Sequence, residues 1–137
     1  MPIDESRTFK PIRIALLTVS DTRGLAEDTS GDILAERISQ AGHELATREI
    51  LRDDVDALVN LLEAWIDDET IDCVITTGGT GLTGRDVTPE ALDRVKEKDI
   101  PGFGELFRWI SYEMIGTSTV QSRACAVVAT GTYIFAL

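Results

Sequence analysis

The sequence predicts an α/β protein, a sandwich of helices on a mainly parallel sheet that carries one antiparallel strand. Three observations lead there. Short, nearly continuous apolar runs at Ile12 to Val19 and Ile71 to Thr77 read as strands buried on both faces. Between them lie stretches whose apolar residues recur at helical spacing, so helix and strand alternate along the chain. Near the end, Ala124 to Ala129 and Tyr133 to Leu137 flank Thr130-Gly131-Thr132, a hairpin pattern that sets one strand against the others.

Each element has a local reason. Residues 1–11 (MPIDESRTFKP) are polar and are expected to form a flexible N-terminal segment ahead of a single domain over residues 12–137. After the first strand, SDTRGLAEDTSG is a loop by composition, with Asp28 or Thr29 placed to cap a helix. In that helix Leu34, Ile38 and Ala41 fall on one face, and Gly42 ends it. Glu44 to Leu51 alternates loosely as a second strand. The clearest helix follows: Val55, Leu58, Val59, Leu62, Trp65 and Ile66 form one stripe, with Asp54, Asp56, Asn60 and Glu63 off it. Thr88-Pro89-Glu90 marks another helix start, with a capping hydroxyl, a first-turn proline and an acid near the positive end of the dipole. Pro101-Gly102 breaks the chain again, and Phe103, Leu106, Phe107, Ile110 and Met114 then share a helical face suited to a core or a subunit interface. The chain stops on IFAL, inside an apolar strand, so truncation is expected.

Composition removes several function classes. The 137 residues hold 13 Lys and Arg against 24 Asp and Glu, a net charge of −11, so the molecule's field repels nucleic-acid backbones. Cys73 and Cys125 are far apart, each in an apolar run, which gives neither a disulfide framework nor a thiolate zinc site. His43 is the only histidine, so no His-rich metal site and no Ser-His-Asp triad can be built in one chain. The polar N-terminus and short apolar runs show neither a signal peptide nor a membrane span, and a cytoplasmic protein is expected.

Polar residues gather where the parallel strands end. The first strand delivers Thr18, Ser20 and Asp21; the second, Asp53 and Asp54; the third, Thr76, Thr77 and the loop Gly78 to Asp86. Open α/β sheets bind ligands at this edge. Gly78, Gly79 and Gly81, around Thr80, let consecutive N–H groups line a hollow for an anion, with Arg85 or Arg123 nearby; the same loop also serves as a tight turn. Asp53 and Asp86 are paired carboxylates suited to Mg²⁺ beside a phosphate, while capping or a surface ion pair is their plainer role. Ser122-Arg123, after the hydroxyl-rich GTSTVQ, forms either a phosphate contact or a solvated turn.

The run TTGGTGLTGRDVTPEA (Thr76 to Ala91), with IPGFGE (Ile100 to Glu105) and GTSTVQSRA (Gly116 to Ala124), resembles the MoaB/MogA family of molybdenum-cofactor biosynthesis proteins. EDTSG (Glu27 to Gly31) and GTSTVQSRA lean toward the MoaB branch, and the likeness runs from Ile12 to Leu137. The resemblance implies a three-layer α/β/α sandwich assembled as trimers or hexamers. It implies that the ligand is molybdopterin, and that active members transfer AMP from Mg-ATP to its terminal phosphate with release of pyrophosphate. On this resemblance Asp53 and Asp86 are catalytic and metal-binding, and Gly78, Gly79, Gly81 and Ser122 bind substrate; the reading of the strand ends and loops adds Thr18, Ser20, Thr77, Thr80 and Arg123 to the substrate-binding set. A non-catalytic molybdopterin carrier is the alternative. The resemblance implies a further loop and helix after Leu137, and the domain is expected to lack them.

Overall fold

The computed structural model describes all residues except Arg23, which falls in the stretch read as a loop, and the side chain of Leu25. Strand β1 (Arg13–Val19) leads to helix α1 (Thr29–Gln40), β2 (Glu44–Leu51), α2 (Val55–Asp67) and β3 (Cys73–Thr77). Then come α3 (Thr88–Val95), β4 (Lys98–Asp99), α4 (Pro101–Ile115), β5 (Cys125–Ala129) and β6 (Thr132–Ala136). Two 3₁₀ turns, Leu25–Glu27 and Gly116–Gln121, complete the order.

The strands form one sheet in the order β2-β1-β3-β6-β5-β4. β1 pairs in parallel with β2 and β3, and β3 with β6, while β5 runs antiparallel to both its neighbours. The expected single reversed strand is therefore β5. The period-2 alternation of side chains divides the core. Ala15, Leu17, Val19, Val74, Ile134 and Ala136 pack with Leu58, Val59 and Leu62 of α2 and with Ala91 and Leu92 of α3. On the opposite face Ile14 and Cys73 pack with Ile38 of α1, and Phe135 meets Phe103 of α4 edge-on at 5.1 Å. Helices thus cover both faces, which makes the three layers. Residues 1–11 stay outside the sheet, with the Phe9 ring against His43 at 5.1 Å.

Caps settle the helix starts. The Asp28 carboxylate accepts the Gly31 N–H and begins α1, and the Asp54 carboxylate accepts the Ala57 N–H and begins α2. Thr88 differs from its expected role. Val87 holds the cap position of α3 without a side-chain bond, and Thr88 lies inside the helix with its hydroxyl turned to the Gly78 carbonyl. Pro101 does not break the chain but opens α4 as its first residue, where its missing N–H costs nothing. β4 carries no sequence signal: two charged residues pair with β5 and cover its edge. The hairpin turns on Thr130 (φ +49°) and Gly131 (φ +81°), both in the left-handed region that a two-residue connection demands, and Thr132 already belongs to β6.

Candidate functional site

The sheet order places β1 between β2 and β3, so the chain leaves β1 in opposite directions and opens a crevice beyond its carboxyl end. A cleft of about 300 Å³ occupies that position. Of the residues expected there, Thr18, Ser20, Asp53, Thr77, Gly78, Gly79 and Asp86 line it. Thr80, Gly81, Ser122 and Arg123 are not among its lining residues. Asp21 and Arg85 join the lining, as do Thr22 and Ser30, which sequence reasoning did not single out because hydroxyls in a loop are ordinary.

The glycine loop is shaped by close approach. Gly78 (φ +99°) and Gly79 (φ +71°) are in a backbone conformation that other residues resist. A Cβ on Gly78 would lie 2.2 Å from the Val19 carbonyl oxygen, and one on Gly79 would lie 2.4 Å from the Thr88 hydroxyl and 3.0 Å from the Asp53 carboxylate. Successive amides in this conformation make an anion-binding hollow.

The carboxylates have different surroundings. Asp86 accepts the Thr83 hydroxyl at 2.7 Å and the Thr83 N–H at 2.9 Å, both on Oδ2, and these bonds hold its carboxyl below the usual range. Asp53 has the opposite shift. Burial, then the charge of Asp21 and that of Asp86, push its carboxyl up, with Arg85 pulling weakly the other way. The Asp53 N–H meanwhile donates to Asp21 at 3.1 Å, and Arg85 reaches Asp21 only at 3.9 Å. The crevice therefore holds acids whose mutual repulsion the protein leaves largely uncompensated.

Three expected ligand residues make bonds within the protein. The Thr18 hydroxyl donates at 2.7 Å to Asp28, which is fully buried and also bound by Arg48 at 3.0 Å. Burial pushes the Asp28 carboxyl up, but its bonds from Thr18, Gly31 and Arg48 outweigh that and hold it low. Arg123 donates to the Gly81 carbonyl at 2.7 Å, to the Asp86 carbonyl at 2.7 Å and to both carboxylate oxygens of Glu90. The Ser122 hydroxyl accepts the Ala124 N–H at 3.2 Å.

A three-layer α/β domain with a polar crevice at the switch point of its sheet, lined by glycines and acids, belongs to the class of open α/β proteins whose ligand site lies at the carboxyl ends of the strands. Comparison with known proteins narrows the class. Residues 15–137 match the family described as "Probable molybdopterin binding domain". The chain is 47% identical over 132 residues to molybdenum cofactor biosynthesis protein B of Escherichia coli (strain K12), covering 96% of this chain and 78% of that one. A crystal structure of molybdenum cofactor biosynthesis protein B superposes with a TM-score of 0.91 at 42% identity, covering 96% of this chain and 82% of the other. The molybdopterin biosynthesis enzyme MoaB from Thermus thermophilus superposes with a TM-score of 0.78 at 35% identity, covering 92% of this chain and 80% of the other. This chain belongs to the MoaB family of molybdenum cofactor biosynthesis proteins. Among the described residues no helix is long and apolar enough to cross a membrane.

Proposed function

We propose that the chain binds molybdopterin by its terminal phosphate and adenylylates that phosphate with Mg-ATP, releasing pyrophosphate. The observation that carries this reading is one crevice in which the Gly78-Gly79 loop faces the Asp53 and Asp86 carboxylates. Glycine-loop amides favour an oxyanion, and paired acids beside it favour the hard cation that accompanies a nucleotide.

Mg²⁺ suits the donors present. Burial, and then neighbouring negative charge that a divalent cation would relieve, hold Asp53 up, while Asp86 is held low as a carboxylate by its bonds from Thr83. Among the described residues no three His, Cys, Asp or Glu side chains converge into a metal site, so the remaining ligands would be ATP phosphates and water, the usual Mg²⁺ arrangement. A cation held there with ATP would supply positive charge to offset that on a departing pyrophosphate.

The chain's own part is placement. The loop amides hold the pterin phosphate so that one of its oxygens faces the α-phosphorus of ATP. A new P–O bond forms there, the bond from the α-phosphorus to the bridging oxygen breaks, and pyrophosphate leaves with that electron pair. Ser20 and Thr77 offer polar groups along the walls. No protein nucleophile takes part: burial pushes the Cys73 thiol up to about 11, and Cys125 is also raised by burial.

The reading includes self-assembly as a trimer or hexamer. Trp109 is 73%, Met114 84% and Val120 78% exposed, an apolar surface of the kind that a second copy covers.

The test incubates released molybdopterin, ATP and Mg²⁺ with the protein and measures adenylylated pterin. Product is expected, and Asp86→Asn should lower its rate at least about a hundredfold, because Asn keeps an acceptor for Thr83 but loses the charge. Bound pterin without product would replace the enzyme reading with that of a carrier.

A further inference from the structure

Two residues capture the carbonyl oxygens of the glycine loop. The Thr88 hydroxyl donates to the Gly78 carbonyl at 2.9 Å, and its N–H to the Gly79 carbonyl at 3.1 Å. The Arg123 N–H donates to the Thr80 carbonyl at 2.8 Å, and its guanidinium to the carbonyls of Gly81 and Asp86, each at 2.7 Å. A trans peptide sets its C=O and the following N–H on opposite sides. Holding the Gly78 and Gly79 carbonyls toward α3 therefore turns the N–H groups of Gly79 and Thr80 away from it. Among the described residues neither N–H has an acceptor. Unpaired, co-directed N–H groups are what an oxyanion requires.

Glu90, in the first turn of α3, completes the arrangement. Both its carboxylate oxygens accept from Arg123, which fixes the guanidinium across the loop. The donors of Arg123 are thus almost all committed within the protein.

We propose that Thr88 and Arg123 are positioning residues of the anion cradle and that Glu90 locks Arg123 in place, the three acting on the ligand through the loop amides alone. The proposal rests on the phosphate-binding reading of the loop and replaces the expectation that Arg123 holds the phosphate directly. The two arrangements answer one change in opposite ways. If Arg123 bound phosphate itself, removing the Glu90 charge would release a cation and tighten binding. If Arg123 shapes the loop, the same change loosens the cradle and weakens binding.

The experiment uses the whole chain, with inorganic phosphate and inorganic pyrophosphate as probes in calorimetric titration, and amide hydrogen exchange as a readout independent of ligand. Glu90→Gln and Arg123→Lys should each weaken both probes about tenfold. Melting temperature should change by no more than about 3 °C, since the Glu90–Arg123 pair is partly exposed. Exchange of the Thr88 and Arg123 N–H groups should quicken. Thr88→Val should also weaken the probes, and Thr88→Ser, which keeps the hydroxyl, should recover most of that loss. Arg94→Ala, which lies on α3 like Glu90 but removes only a surface pair to Asp56 of α2, should change neither readout. Unchanged or tighter binding in Glu90→Gln, with unchanged exchange, overturns the proposal. If the wild type binds neither probe, the phosphate reading fails on its own, and carbonyl capture is decided by the exchange rates: faster in the variants upholds it, unchanged refutes it.

Discussion

At the start of α2 two adjacent acids divide the work. The Asp54 carboxylate accepts the Ala57 N–H and closes the helix, which leaves the Asp53 carboxylate to face the crevice. The sequence could not separate them, since either acid can precede an apolar helical run. For Asp53 the sign of the pH effect is set by its raised carboxyl. An acid whose folded value lies above its unfolded one costs no stability below both values, and costs progressively more as pH rises through them. Asp53→Asn removes that cost, and its amide can donate to Asp21. The variant should melt about 2–5 °C higher at pH 7. The gain should vanish below about pH 4, where the unfolded-state carboxyl is itself protonated. Adenylyl transfer should fall together with this gain in stability, as expected where function keeps an unfavourable charge in place. Thermal scans from pH 3 to about pH 8 check it, and a variant less stable than wild type at neutral pH would refute the uncompensated-charge picture.

The junction from β3 to α3 shows how an element's ends were less legible than its middle. The continuous apolar run of β1 and the stripe on α2 were plain, because burial imposes them residue by residue. Thr88 was read as a cap because local spacing allowed it, yet its hydroxyl is drawn to the Gly78 carbonyl ten positions earlier. Arg123 and Glu90 meet across thirty-three positions, and β4 exists only because β5 lies beside it. None of these leaves a local trace. The glycines supply a matched test. Gly79 and Gly131 both have positive φ, but a Cβ on Gly79 would lie 2.4 Å from Thr88 Oγ1, whereas a Cβ on Gly131 would meet nothing within 4 Å. Gly131→Ala should cost about 1–2 kcal/mol from backbone strain alone. Gly79→Ala should cost about 1–3 kcal/mol more, since it must also displace a buried, bonded side chain, and should abolish Mg-ATP binding. Urea denaturation gives both values, and equal losses would mean that the loop has room the close approach denies.

At the scale of the whole molecule, charge and apolar surface act against each other. Each chain has a net charge of −11, so copies repel, while α4 presents Leu106, Trp109, Ile110, Met114 and Ile115 to solvent. Of that helix only Gly104 is buried within the protomer, and Phe103 turns to Phe135 of the sheet, so the five exposed apolar residues do little for the core and suit a partner surface. Burial on association favours assembly in proportion to apolar area, and salt shortens the reach of the repulsion from about 30 Å at 0.01 M to about 10 Å at 0.1 M. Assembly should therefore strengthen as salt rises, the reverse of an interface held by ion pairs. On the self-assembly reading, Trp109→Glu places a charge in the middle of the exposed apolar residues and adds to the repulsion, so it should remain a single protomer at concentrations where the wild type is expected to assemble. Light scattering across salt concentrations measures both effects. Wild-type mass for Trp109→Glu would move the interface away from α4, and assembly that weakens with salt would show that charge pairing, not apolar burial, joins the copies.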